Sequence, residues 1–235
     1  MIGLPPVNAF VLQRTPYREE SWLLRLFTAD RGQVTVHFRG SDPVYLYQPY
    51  HVELQGSGDW QACRSLEMAG PLLRLRGHHA YLALYLNELC GRLLPRWVSA
   101  EALFGTYYAT LKSLQADEPA EPLLRFFERQ LLAQLGFAID FAEDTNGQAV
   151  DPAACYRFDG CNRFVSDPAG PIPGHQLAAM ARNRYDDPAV GRVAKRVFRQ
   201  ALERQLGPRP LESRALFLGA QASRAQKSDG GESGS

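Results

Sequence analysis

The sequence has no apolar run near the ~20 residues needed to cross a bilayer. Its first ten residues, MIGLPPVNAF, lack the basic-then-apolar order of a secretory signal, so none is expected. Four cysteines (Cys63, Cys90, Cys155, Cys161) in 235 residues are too few for a disulfide framework. A reducing cytosol, on the nucleoid, is the expected compartment. There is no G-x-x-x-x-G-K-[ST] phosphate loop and no G-x-S-x-G nucleophile elbow. His78 and His79 are adjacent, so on a helix they point about 100° apart and do not share one metal. Cys155 and Cys161 have no second Cys or His pair nearby to complete a tetrahedral site. No cofactor, metal or catalytic constellation is therefore expected. A hydrolase resting on His78 and scattered carboxylates is a remote option.

The chain also has little net charge, +1 from 26 Lys and Arg against 25 Asp and Glu, but the charges are unevenly spread. Between residues 192 and 214 seven cations stand against two acids, a surplus that the balanced total conceals. The stretch KRVFRQALERQLG (195–207) shows how they are arranged. Arg192, Lys195, Arg196 and Arg199 recur at i, i+3, i+4 and i+7 and share one helix face. Val190, Val193, Ala194, Val197, Phe198 and Ala201 take the other face, the stripe turned to a core. The cationic face is either a plain solvated surface or an electrostatic footprint for a polyanion.

With 45% apolar and 22% charged residues, the composition is that of a globular protein. The first 70 residues alternate as strands. VNAFVLQR (7–14), SWLLRLFT (21–28), QVTVHFR (33–39), PYHVELQ (49–55) and WQACRSLEM (60–68) are separated by TPYREE, ADRG and the loop GSGD (56–59). Five short strands with glycines at the corners predict a small closed barrel of the OB type, although a bare SH3-like barrel has a similar pattern. After Gly70-Pro71 the period becomes helical. Helices are predicted over 78–94, over 99–114 with Ser99 as N-cap, and over 121–137 from Pro122 to Gly136. Residues 138–172 are irregular, with a hairpin around Asp159-Gly160. A short helix follows at 174–183. A longer one is capped by Asp187, opened by Pro188 and closed by Gly207, and a last turn or two falls at 211–219. From Ala220 the chain is too polar to pack and is expected to be a disordered tail.

The expected class is thus α+β: an N-terminal barrel over 1–72, a helical domain over 73–219 with the 138–172 insertion, and a tail at 220–235. Barrels of the OB type bind single strands with aromatic and cationic side chains on one face. Arg14, Arg25, Arg39, His37, Tyr17 and Trp22 supply those types here, with core packing as the alternative for Tyr17 and Trp22.

Five blocks, in order, resemble the RecO family of bacterial DNA repair and recombination mediators. They are AFVLQRTPYREESWLLRLFTADRGQVTVHFRG, LQGSGDW, LYLNELCGRLL, LLRFFERQLLAQLGFAIDF and AKRVFRQALERQLGPRPLESRALF, spanning about residues 7–218. The resemblance implies an OB-fold on a helical domain. It implies binding to single- and double-stranded DNA, annealing of complementary strands, partnership with RecR, and recognition of the acidic C-terminal tail of the single-stranded-DNA-binding protein (SSB) in recombinase loading. Under it the basic helix, together with Arg209 and Arg214, would follow a phosphate backbone without reading bases.

Two departures stand out against the family pattern. Relatives carry a Lys/Arg-rich loop after the FRG strand, whereas here SDPVYLY has no cation between Arg39 and His51, which shifts the expected DNA contact toward the C-terminal segment. Some relatives hold a four-cysteine zinc site near 145–165 that this sequence does not build. The weaker barrel contact leaves a second reading open, an adaptor that docks SSB and RecR with little DNA affinity of its own. An SSB tail, acidic and ending in an apolar residue with a free carboxylate, needs an apolar slot rimmed by cations. Leu124, Phe127, Leu131 and Leu135 at helical spacing, with Arg125 and Arg129 four apart on an adjoining face, are the expected slot. Most of the apolar stripe is also expected to serve as core, and the arginine pair is the discriminating part.

Overall fold

Alternation of apolar residues builds the first part of the fold. The computed structural model describes residues 6–40, 42–56 and 61–219. The loop expected at 56–59 lies outside them beyond Gly56, as does the tail expected to be disordered from Ala220. Strands β1 (Val7–Arg18), β2 (Ser21–Thr28), β3 (Gly32–Arg39), β4 (Pro49–Gln55) and β5 (Gln61–Met68) close into a barrel in the order β1-β2-β3-β5-β4. Val7, Ala9 and Val11, then Leu24 and Leu26, Val34 and Val36, and Val52 and Leu54 alternate inward to fill it. β4 runs antiparallel to β1, with Val7 opposite Val52 and Phe10 opposite Pro49. β3 and β5 are parallel, with Phe38 opposite Cys63. A parallel closing pair and a strand order that is not sequential make this a five-stranded Greek-key barrel of the OB type.

One strand is longer than its pattern predicts. β1 continues through Thr15-Pro16-Tyr17 to Arg18, where a turn was expected, and every residue from Gln13 to Arg18 is exposed. Pro16 lies beyond Phe10, the last β1 residue with a β4 partner, so its missing N–H breaks no bond on that side. The turn falls at Glu19-Glu20, where Glu20 takes φ 54.

The helices are α1 (Gly77–Leu93), α2 (Glu101–Gln115), α3 (Ala120–Gln134), α4 (Gly174–Ala181) and α5 (Pro188–Leu206), followed by a helical run at 212–219. Asp187 caps α5 by accepting from the Ala189 N–H at 2.8 Å, and Gly207 takes φ 70 just past its end. Ser99 is not the cap of α2. Ala100 holds that place without a side-chain bond, and the Ser99 hydroxyl donates to the Ala29 carbonyl at 3.4 Å instead. In the hairpin, β6 (Cys155–Phe158) pairs with β7 (Phe164–Ser166) and with β8 (Ile172–Pro173). Its turn is tied by Asp159, whose Oδ1 accepts from the N–H groups of Cys161, Asn162 and Arg163.

Two compact units result. One holds the described residues up to 27, 33–94 and those from 209 onward: the barrel, α1 and the final helical run. The other holds 28–32 and 95–208, with α2 to α5 and the hairpin. No described helix is long and apolar enough to cross a membrane.

Candidate nucleic-acid interface

In the barrel unit the exposed end of β1 creates the first candidate site. Tyr17 is 45% exposed there. The His37 ring from β3 meets it edge-on at 5.5 Å, and the Arg18 guanidinium lies 5.3 Å from its ring centre. These residues, with Arg39, Ser21, Gln61 and a tempering Glu19, line a cleft of about 760 Å³. An aromatic face beside two guanidinium groups can stack a base and hold its phosphate.

A second cleft of the same unit, about 520 Å³, runs between β1, β2, α1 and the final helical run. Four arginines line it: Arg14, Arg25, Arg92 and Arg209. Arg14 donates to the Val44 carbonyl and sits 5.6 Å from the Trp22 ring centre. Trp22 itself packs against the barrel core. Arg25 donates to the Gly91 carbonyl at 3.1 Å, an oxygen that also accepts from the Gln33 amide at 2.8 Å. Carbonyl partners position these two guanidinium groups without cancelling their charge. Arg92 and Arg209 differ, for they pair with Glu88 and Glu212. The cleft therefore has a positive side at Arg14 and Arg25 and a balanced side at the C-terminal segment.

α5 carries its cations outward as its period predicts, with Arg192, Lys195, Arg196 and Arg199 all exposed. Three of them have partners. Lys195 meets Glu121 at 2.8 Å, Arg199 meets Glu203 at 2.7 Å, and Arg196 donates to the Pro171 carbonyl at 3.4 Å. The 192–214 cluster is divided between the units, for α5 belongs to one while Arg209 and the half-buried Arg214 belong to the other.

The expected tail slot on α3 is interior. Leu124, Phe127 and Leu131 are at most 5% exposed, and Arg125 is only 4% exposed. The Arg125 guanidinium lies 3.1 Å from Glu128, itself buried, and 3.9 Å from Glu121. Arg129 is half-buried. It donates to the carbonyls of Met180 and Ala181 and to Asn183 Oδ1, closing the C-terminal end of α4, and lies over Phe141. The apolar stripe is packing, and both arginines are built into it. Helix α3 lies between α2 and α5, so its buried arc takes in Arg125 and Glu128 as a mutually neutralising pair.

Arg18, Arg92 and Glu88 were not singled out in the sequence. Arg18 lies in TPYREE, which reads as a turn. The Glu88–Arg92 spacing of four was a legible signal for an ion pair. Burial pushes the Cys63 thiol up to about 12 and raises Cys90 as well, so neither is a nucleophile at neutral pH. Among the described residues no group of three or more His, Cys, Asp or Glu is placed to hold a metal ion.

Residues 74–215 match the family described as Recombination protein O C terminal. The chain is 40% identical over 223 residues to the DNA repair protein RecO of Stutzerimonas stutzeri, covering 92% of this chain and 94% of that protein. It is 38% identical over 220 residues to the protein of the same name from Pseudomonas putida GB-1, covering 90% and 96%. For the one from Pseudomonas aeruginosa LESB58 the identity is 36% over 222 residues, covering 91% and 95%.

Proposed function

The chain belongs to the RecO family of DNA repair proteins, and from that premise we propose that it is a non-enzymatic recombination mediator. In this reading it binds single- and double-stranded DNA without sequence preference, anneals complementary strands, and works with RecR and SSB in loading the recombinase. The observation that carries the reading is the barrel surface. An exposed Tyr17 flanked by Arg18 and His37 stands beside Arg39 in one cleft, and Arg14 and Arg25 keep their charge in another. Both clefts offer cations for phosphates and the first adds an aromatic face that any base can stack on, which suits sequence-independent annealing. The outward face of α5 is a second cationic surface for the backbone.

The adaptor reading has one observation in its favour, the carboxylate partners already held by Lys195 and Arg199. SSB remains a partner under both readings, docking outside the interior stripe of α3. A salt titration of single-stranded DNA binding separates the two. Neutralising four or five phosphates gives a log–log slope of about −3. A flat slope, or no binding at low salt, supports the adaptor.

A further inference from the structure

The final helical run is held to the barrel unit by contacts of an unusual kind. The Glu88 carboxylate, projecting from α1, occupies the place of its N-cap. Its Oε1 accepts from the Glu212 N–H at 2.9 Å, and its Oε2 accepts from the Ser213 N–H at 2.9 Å and hydroxyl at 2.7 Å. These are first-turn donors that no residue of the run itself satisfies. One turn along α1, Arg92 bonds Glu88 at 3.4 Å and donates to the carbonyls of Arg209 at 2.7 Å and Pro210 at 3.0 Å. Apolar anchoring is slight by comparison. Leu211 is buried and the Phe217 ring lies 4.9 Å from His78 and 5.7 Å from Tyr81, but Leu216 and Leu218 are more than half exposed. A segment fixed mainly by charge-assisted hydrogen bonds at one end is among the parts of a fold that open first, and an anion can compete for its cations.

The same segment forms one wall of the cleft that contains Arg14 and Arg25, contributing Arg209, Glu212, Ser213 and Leu216. While it is latched, the carboxylates of Glu88 and Glu212 stand in a cleft whose other charges are positive. We propose that residues 209–219 are a releasable strap that limits access of a polyanion to Arg14 and Arg25, with Glu88 and Arg92 as its latch. The proposal rests on the reading that these two arginines take phosphates. A phosphodiester chain entering the cleft meets the two carboxylates and competes with them for Arg92 and Arg209. Strap release and polyanion binding therefore favour each other, and by linkage each shifts the other by the same factor.

The test uses the full chain, amide hydrogen exchange of residues 212–213, and the affinity of a thymidine oligonucleotide read by fluorescence anisotropy. The double variant Ser213→Ala, Phe217→Ala loosens the strap without changing charge. Glu88→Gln removes the latch charge, and unchanged thermal unfolding checks that each variant is folded. Losing a net hydrogen bond corresponds to about fivefold, so exchange in the double variant is expected to rise by about that factor or more. Oligonucleotide affinity should rise about threefold in both variants, and saturating oligonucleotide should speed exchange in the wild type. Faster exchange with unchanged affinity, or oligonucleotide that slows exchange at 212–213, overturns the gating. Exchange unchanged in both variants overturns the latch. If Arg14→Ala with Arg25→Ala binds oligonucleotide as the wild type does, the phosphate reading fails and the gating with it, while the exchange rates still report the latch on their own.

Discussion

Helices α3 and α5 both carry arginines among apolar residues at helical spacing, yet they use them in opposite ways. On α5 the four cations cluster on the side opposite Val190, Val197 and Ala201, at about 100° per residue, and all four are exposed. On α3 the buried set includes Arg125 and Glu128 along with Leu124, Phe127, Leu131 and Leu132. By the same geometry Arg125 stands about 60° from Glu128, within the covered arc. A cation therefore does not by itself mark the outer face of a helix. What matters is whether a carboxylate one turn away enters the interior with it, so that two charges are desolvated together and offset each other.

The sharpest way to break this contrast is to remove one member of the buried pair. Arg125→Ala takes the cation from beside the buried Glu128 carboxylate and is expected to cost about 3–5 kcal/mol in urea unfolding. Arg199→Ala, on the outer face of α5, should leave the midpoint almost unmoved. Equal and small effects would mean that the α3 arc is open to solvent. The companion variant Arg125→Met with Glu128→Leu should recover most of the lost stability, because it removes both charges and keeps the volume.

Next in size is the contrast between paired and carbonyl-held cations. Arg14→Glu with Arg25→Glu should weaken single-strand binding more than Lys195→Glu with Arg199→Glu, whose cations already hold Glu121 and Glu203. For every phosphate that is no longer neutralised, the salt slope should flatten by about 0.7. A larger loss of affinity from the α5 pair would move the proposed DNA contact from the barrel clefts to α5. Smaller again is the α5 cap, where Asp187→Ala should cost about 1 kcal/mol by loss of its bond to the Ala189 N–H.

The smallest effect concerns acid. Burial alone would raise the Glu88 carboxyl. Hydrogen bonds from the Ser213 backbone and hydroxyl, the Glu212 N–H and Arg92 outweigh it and hold the group below its ordinary value. A carboxyl lowered in the folded state contributes stability above its unfolded value of about 4.3 and loses it as pH falls through the folded value. Arg14, Arg25, Arg92, Arg209 and Glu212 line the same cleft. The protection of the 212–213 amides relative to their intrinsic exchange at each pH should hold near neutrality and fall as pH drops through the folded value, and Glu88→Gln should abolish that dependence.

Much of the fold was legible in the residues. Alternation in 7–39 and 49–68 specified the strands, and Asp187, Pro188 and Gly207 marked α5, because these signals act through local backbone geometry. Alternation alone did not separate the OB type from an SH3-like barrel; the parallel β3–β5 pair does, and it depends on where two distant strands meet. Pro16 read as a turn because a proline breaks a central ladder. Only pairing partners show that this end of β1 has no β4 beside it.

The site divides in the same way. The sequence by itself determined which residues are cationic, that the α5 set shares one face, and that a barrel precedes helices, since periodicity and charge are properties of neighbours along the chain. Tertiary structure alone decided that Arg125 is interior, that Arg129 closes α4, and that Tyr17, Arg18 and His37 meet. It also decided that the segment after Pro208 returns to α1 and rests on Glu88. Each of these depends on a partner from another element, 51 residues away for Arg129 and 125 for Ser213. Burial and ion pairing are set by what packs opposite a side chain, and a single helix's pattern does not contain that.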